Sequence, residues 1–583
     1  PYLVRQGQQE GLSFINPEMV RSLTFYNGGF QSRYGDKMSS VLDIQYKRAK
    51  KFGGSAYVSL LEQGLHFEGG SKDEKVSFTV GARNRSNQNL LSSQQTKGNY
   101  VPSSNDLQGY VTWQPNSKWM FEAMGNYSRT QFKLNPEFSS QTASVFSPFF
   151  TANLGLDIYF AGGERDRYST AMAGIATTFQ PHKNLKLKWM LSHFSNTEEE
   201  SFDIQGAYLF GERDFDRSRS TFGLIVSPLG AGVFQNFARN QLDIQIQNAT
   251  HKGSLEKGKH FIQWGHSLER QSINDKLNEW ELTDSAGYTL PFDPNQLPLT
   301  KVIKSKADLV FFRTTGYVQD NIILNDSLNM TLQIGVRYNY NTLNNELLLQ
   351  PRVQFAMQPM GKKDIVFRAA AGAYHQPPFY RELRRYDGSV NESVKAQKSW
   401  QVVGGIDYNF KGWGNRPFKL QVEGYYKHMY DIVPYDVDNV RIRYFGSNSA
   451  RAYATGVEAR LFGELVKDAE SWVSIGLMRT RENLDNDQWY NYTLDSLNQP
   501  IDSTLVQGGW IRRPTDRLLT FGMFYQDYLS TNKNFKFSMN FLYGTNLPYN
   551  IPNSVKYRNA LTIDPYIRVD FGFSALLLDG EKS

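Results

Sequence analysis

The stretch "NMTLQIGVRYNYN", residues 329–341, constrains the fold more than any other. Met330, Leu332, Ile334, Val336, Tyr338 and Tyr340 alternate without a break against Asn329, Thr331, Gln333, Gly335, Arg337, Asn339 and Asn341. Side chains that alternate with period two sit on opposite faces of a β-strand, so one face here is apolar and the other continuously polar. The same alternation runs through "VSFTVGAR" (76–83), "FKLQVEGYYK" (418–427) and "FKFSMNFLYG" (535–544). Strands in soluble sheets usually run about five or six residues, whereas a strand crossing a bilayer needs roughly 9–11. Three of these four segments have the longer length, and Arg, Lys, Gln and Asn on the polar face suit a wet interior. The pattern therefore predicts an all-β chain, a large antiparallel transmembrane β-barrel. A secreted soluble β-protein is the competing reading.

Composition agrees. The mean hydropathy is −0.52, yet 39 Phe and 33 Tyr are present, too many aromatics for a disordered chain. No apolar run reaches the length of a transmembrane helix. A formal charge of +7 is small for 583 residues and the basic side chains are scattered, which argues against nucleic acid as a partner. Cysteine is absent, excluding disulfides and thiolate sites.

Tight turns follow three Gln-Pro pairs, at Pro115–Lys118, Pro181–Asn184 and Pro359–Gly361, where proline ends a ladder without wasting a donor. Trp113 and Trp119 flank the first as an aromatic girdle would. Between the hairpins, 194–221 and 267–308 read as long polar loops. Short and long connections segregated to opposite ends are expected of an outer-membrane barrel.

No motif predicts catalysis, a cofactor or a metal. "GSLEKGKH" (253–260) lacks the closing Ser or Thr of a phosphate loop and fits a hairpin turn at Glu256–Lys259. His260 and His266 are separated by about 20 Å of strand, too far to share an ion. Glu198, Glu199 and Glu200, and the pair Asp485 and Asp487, read as solvated loop faces.

The opening segment "NPEMVRSLTFYNGGFQSRYGDKMSSVLDIQYK" (16–47) resembles the last part of the plug domain of TonB-dependent outer-membrane receptors. The match is carried by Arg33, Tyr34, Gly35 and Asp36 and by the closing strand Val41–Ile44. "GYVQDNIIL" (316–324), "PRVQFAMQP" (351–359), "YHQPPFYREL" (374–383), "EGYYKHMYDIVPY" (423–435) and "PYIRVDFGFS" (565–574) resemble the family's barrel strands in their usual order. The resemblance implies a barrel of about 22 strands in its complete form, with residues 1–50 as the plug remnant and 51–583 as barrel lacking its last strands. It also implies an outer-membrane location in a Gram-negative bacterium, without enzymatic chemistry or cofactor. The implied function is energy-coupled import of a scarce or bulky ligand: siderophore, haem, cobalamin, oligosaccharide or peptide. The implied partners are the TonB complex, reached through a missing N-terminal segment, outer-membrane lipids and lipopolysaccharide, and a surface lipoprotein. Gln333, Arg337 and Arg368 are candidate lumen contacts. A barrel of the same fold serving as a partner subunit of a larger complex, without transport, is the alternative function, and a passive porin is a further one.

Overall fold

The computed structural model describes residues 15–577 apart from 87–97, 148–149, 285–298, 362, 439–440, 496–498, 530–531 and 550–554. Twenty-two strands belong to one antiparallel sheet that wraps into a barrel. Cross-strand partners can be followed from Gly53–Val58 round to Tyr566–Ala575. The alternation read from residues 329–341 is the alternation of the wall. On Met330–Asn341, Ile334 and Val336 are 50% and 40% exposed outward, while Arg337 and Asn339 are buried toward the lumen.

The tight turns lie at one end of the barrel. Trp113 and Trp119 bracket the first, and Trp119 stacks on Phe179 of the neighbouring strand with ring centroids 4.4 Å apart. The second is shorter than the sequence implies: Pro181 and His182 remain in strand, His182 faces Leu185, and the turn is Lys183-Asn184. At the hairpin turn expected at Glu256–Lys259, Lys257 pairs with His260 across a two-residue turn in which Gly258 takes φ +59°.

The long loops expected at 194–221 and 267–308 are largely strand. Phe150–His182, Leu185–Arg213, Ile225–Lys257, His260–Asp284 and Leu299–Asn325 run 33, 29, 33, 25 and 27 residues. Of the predicted second loop, residues 285–298 lie outside the described residues. On Leu299–Asn325 the outward face is apolar at Val310, Phe312 and Val318 but carries Lys304, Lys306 and Asp308 further up. Above the lipid band the outer face meets water, so the hydrophobic alternation disappears while the hydrogen-bonded ladder continues. That is why the segment reads as loop in sequence.

Part of the interior of this extension is apolar instead. Leu242, Ile244, Ile246, Ile273, Leu309 and Phe311 point inward and form one buried cluster with Tyr380, Leu383, Val394 and Val433. Tyr380–Leu383 is a single helical turn in the connection from Asp364–Gln376 to Gln397–Gly412. Burying large apolar side chains stabilises by about 1.5–3 kcal/mol each, so this connection is a fixed element of the barrel mouth.

Candidate functional site: the hairpin across the lumen

Val20–Tyr26 and Val41–Tyr46 form a separate two-stranded hairpin. Their connection, 27–40, contains the glycine pair and the Arg-Tyr-Gly-Asp step. Gly28 and Gly29 take φ +86° and +57°, which glycine adopts at no steric cost.

Contacts from this segment reach opposite walls. On one side Glu18 accepts a hydrogen bond from Ser55 Oγ at 3.0 Å, and Tyr46 OH lies 3.4 Å from Gln108 Oε1. On the other, Asn27 Nδ2 donates to Glu458 at 3.0 Å, Gln401 Nε2 donates to the Met38 carbonyl at 2.6 Å, and Gln354 Nε2 donates to the Gly29 carbonyl.

Two clusters fasten the connection. In the first, Arg352 Nη1 donates to the carbonyls of Phe30, Gln31 and Tyr34 at 3.3, 2.8 and 2.6 Å. Its guanidinium also lies 4.9 Å from the ring centre of Phe30 and 4.2 Å from that of Tyr374, and both rings are fully buried. In the second, Asp36 sits with φ +61° and accepts from Asn339 Nδ2 at 2.7 Å, with Arg313 at 3.3 Å and Arg337 at 3.6 Å. Burial alone would raise the Asp36 carboxyl; the two guanidinium groups and the Asn339 amide outweigh it and hold the carboxyl below its ordinary range.

The Arg-Tyr-Gly-Asp step thus has a division of labour. The Arg33 amide donates to Gln319 Oε1 at 2.9 Å and its guanidinium lies 4.7 Å from the centre of the Tyr34 ring. Tyr34 OH donates to Asp43 at 2.5 Å, closing the connection onto its own strand. At Gly35 a Cβ would stand 1.8 Å from Arg337 Nε, so only glycine lets that arginine pass to Asp36.

All three proposed lumen contacts lie on the inner face. Arg337 is buried against Asp36. Gln333 and Arg368 line a cavity of about 630 Å³ between the Gly28-Gly29 turn and the wall. Arg368 there pairs with Asp407 at 2.7 Å. Sequence reasoning missed Arg352, Asn339 and Arg313. Their inward parity was readable, but nothing local distinguishes an arginine that holds the hairpin from one that lines the wall.

Of the acidic residues read as solvated, Glu199 and Asp485 are exposed and Glu198, Glu200 and Asp487 are buried. Glu198 and Glu200 are buried on the inner face of a strand, and Glu199 pairs outward with Arg167 at 3.1 Å. Carboxylates of Glu164, Asp166 and Glu200 approach within 4.8 Å of one another, and Asn240 Nδ2 donates to Glu200 at 2.8 Å. Asp487 is buried and paired with Arg558 at 2.8 Å, while Asp485 is exposed. The histidines are apart, His260 bonded to Asp320 and His266 to Tyr338.

At the mouth, beside the Tyr380–Leu383 turn, a pocket of about 120 Å³ is lined by Arg381, Arg384, Arg385, Arg443 and Lys301, with Glu200 and Glu279 as its carboxylates. Arg384 is tied to Asp275, the carboxylate that also accepts from Tyr380 OH at 2.6 Å. Glu382 is buried within this turn, accepting from Gln397 Nε2 at 2.6 Å and from the Phe379 amide at 3.2 Å. Burial pushes its carboxyl up to about 8, against the weaker opposing pull of hydrogen bonds and of Lys37 in the hairpin connection. Because the folded value is raised, the stabilisation is complete below the ordinary carboxylate range and is lost as pH rises through about 8. Amides of 379–384 are expected to exchange faster at pH 9 than at pH 6 after correction for intrinsic rates. Glu382→Gln should abolish the difference, and a pH effect that survives the substitution would assign it to another group.

The architecture is that of a large outer-membrane-type barrel with a hairpin pinned across its lumen and folded connections at its mouth. The TonB dependent receptor-like, beta-barrel family matches residues 129–575, and the chain belongs to that family. Solved structures agree in fold. The ferric yersiniabactin uptake receptor FyuA from Yersinia pestis superposes with a TM-score of 0.62 at 12% identity, over 95% of this chain and 77% of that one. The copper transporter OprC gives 0.61 at 12%, covering 97% and 79%. The pyoverdine outer membrane receptor FpvA from Pseudomonas aeruginosa PAO1 gives 0.60 at 13%, covering 96% and 77%. A comparison with curated proteins finds no match. Family membership places the chain in the Gram-negative outer membrane, among receptors and transporters rather than enzymes.

Proposed function

We propose that this protein imports an anionic ligand by TonB-coupled rearrangement of the hairpin, which acts as a plug element within residues 1–50, with residues 51–583 forming the barrel. The observation that carries the reading is the fastening of the 27–40 connection to the wall by a set of hydrogen bonds and ion pairs, beside only two apolar anchors, Phe30 on Tyr374 and Met38 on the cluster of Met429, Ile432 and Leu484. Hydrogen bonds and ion pairs to Arg352, Arg313 and Arg337 hold it closed, yet water can replace each of them once the segment is pulled. A ligand entering from outside first meets the pocket of Arg381, Arg384, Arg385, Arg443 and Lys301, whose cations outnumber its carboxylates. Planar guanidinium groups favour carboxylate, phosphate or phenolate oxygens, as borne by a metal chelate.

The test is accumulation of labelled anionic metal chelates by cells expressing the protein, with and without an uncoupler. Energised uptake that falls to background with the uncoupler is expected. Arg385→Gln combined with Arg443→Gln should weaken chelate binding about tenfold or more, from loss of charge-assisted contacts. Uptake insensitive to the uncoupler would mean passive passage, and the absence of uptake would favour the partner-subunit reading.

A further inference from the structure

A second cavity separates the hairpin connection from the wall. It encloses about 200 Å³ between Arg33 and Asp36 of the connection and Lys252, Glu269, Arg313 and Arg337, one from each of four neighbouring strands. Four cations therefore face two carboxylates. Arg313 Nη2 lies 3.3 Å from both Asp36 and Glu269, and Arg337 lies 3.6 Å from Asp36. Both carboxylates are thereby engaged, and the charges of Arg33 and Lys252 are left over.

Arg33 meets neutral groups. Its Nη2 donates to Tyr26 OH at 3.4 Å and its guanidinium lies against the Tyr34 ring, while its Nε is buried without a hydrogen-bond partner among the described residues. Asp43, the carboxylate whose field reaches Lys252, already accepts from Tyr34 OH.

Lys252 is placed by register directly opposite Lys188 on the inner face. Like charges set opposite in a sheet repel. Lys188 is neutralised by Glu122 at 2.5 Å, whereas among the described residues Lys252 has no carboxylate at ion-pair distance. Arg33 and Arg337 add to the repulsion it feels. A cleft lined by one sign of charge between protein walls focuses the field and concentrates counter-ions from solution. Lys252 stays exposed to the lumen, which gives an ion its way in.

We propose that this cavity binds a small inorganic oxyanion of the phosphate class, which bridges Arg33 on the connection to Lys252 on the wall and supplies a link that the protein's own carboxylates do not. A guanidinium fork meets two oxygens at once, so an oxyanion is favoured over a spherical halide. The volume selects a free ion over imported cargo. Drug-sized ligands fill pockets of about 300–1,000 Å³, whereas this one has room for roughly six waters.

The test is hydrogen exchange of the full chain in detergent at neutral pH, with sodium phosphate titrated against sodium chloride at constant ionic strength. Opening of the connection separates Arg33 from Lys252, so a bound anion must leave first. Exchange over residues 31–36 should slow and then follow the saturation of the site, by about tenfold at ten times the dissociation constant. Sulfate should act likewise and chloride should not. Lys252→Gln should remove the response from the wall side and Arg33→Gln from the hairpin side; if either variant misassembles, the wild-type titration decides alone. The separate two-stranded sheet of Gln488–Leu494 and Pro500–Gln507 serves as the internal reference. No slowing in the wild type, equal slowing in chloride, or a response that survives Lys252→Gln would overturn the proposal. A slowing shared by the reference sheet would also overturn it, by assigning the effect to the general stabilisation of proteins by phosphate.

Discussion

Replacing Arg352 with alanine is expected to free the hairpin connection while leaving the barrel intact. The guanidinium is the shared donor to the carbonyls of Phe30, Gln31 and Tyr34, and it packs against two fully buried rings that touch each other. Charge-assisted hydrogen bonds contribute about 1.5–3 kcal/mol each, and truncation also leaves buried carbonyls without donors. These contributions are not additive, so a loss of about 3 kcal/mol in local opening free energy is the reasonable expectation. That corresponds to roughly 100-fold faster amide exchange over residues 30–36. Arg352→Lys should recover little, because Nε also donates to the Ala373 carbonyl and Nη2 to Gln350 while the plane lies against two rings, a set of contacts one ammonium cannot reproduce. The same variant should raise the basal conductance of the protein in planar bilayers. Unchanged exchange at 30–36 together with wild-type conductance would show that the remaining contacts suffice to hold the connection.

The second large effect is expected at Asp36. Asp36→Asn keeps a side chain that tolerates φ +61° and removes only the charge facing Arg313 and Arg337. Breaking a buried ion pair on one side costs about 3–5 kcal/mol; Arg313 retains Glu269 at 3.3 Å, which places the expectation near about 3 kcal/mol. Since the folded carboxyl titrates below its ordinary range, its contribution is present above the unfolded value and is lost as pH falls through the lowered one. Wild-type protection of residues 33–38 should therefore hold from neutral pH down into the ordinary carboxylate range and fail only below it. Asp36→Asn should show weak protection throughout. Comparing exchange of the two proteins across that pH series is decisive: equal protection at neutral pH would remove Asp36 from the fastening.

The two variants separate the fastening of the hairpin from the chemistry of the mouth. If exchange at 30–36 quickens but uncoupler-sensitive uptake of a chelate persists, the fastening sets the leak rather than the transport cycle. If both fail, the closed hairpin is part of the transport path. The vestibule substitutions touch neither Arg352 nor Asp36, so their effect on binding can be read independently.

Much of the wall was legible because lipid imposes a simple code. In "NMTLQIGVRYNYN" each outward residue must satisfy hydrocarbon and each inward one must satisfy water or polar protein, so period two appears directly in residue type. The Arg33, Tyr34, Gly35 and Asp36 step was legible as a resemblance, but its reasons were not. Gly35 is glycine because Arg337, some three hundred positions later, passes over it. The extended strands were misread for a related reason. Above the lipid, residues such as Glu198, Glu199 and Glu200 face water, loops or one another, and no local rule of hydrophobicity survives to mark them as strand.

The sequence by itself determined that this chain forms strands long enough to span a bilayer, which face of each meets lipid, and where the tight turns fall. These properties follow from neighbours within a few positions and from a uniform solvent. Tertiary structure alone decided which inward arginines hold the hairpin and that Tyr380 and Leu383 pack on an apolar patch of the inner wall. Each depends on register between strands far apart in the chain, and a shift of one residue would turn every one of those side chains to the opposite face.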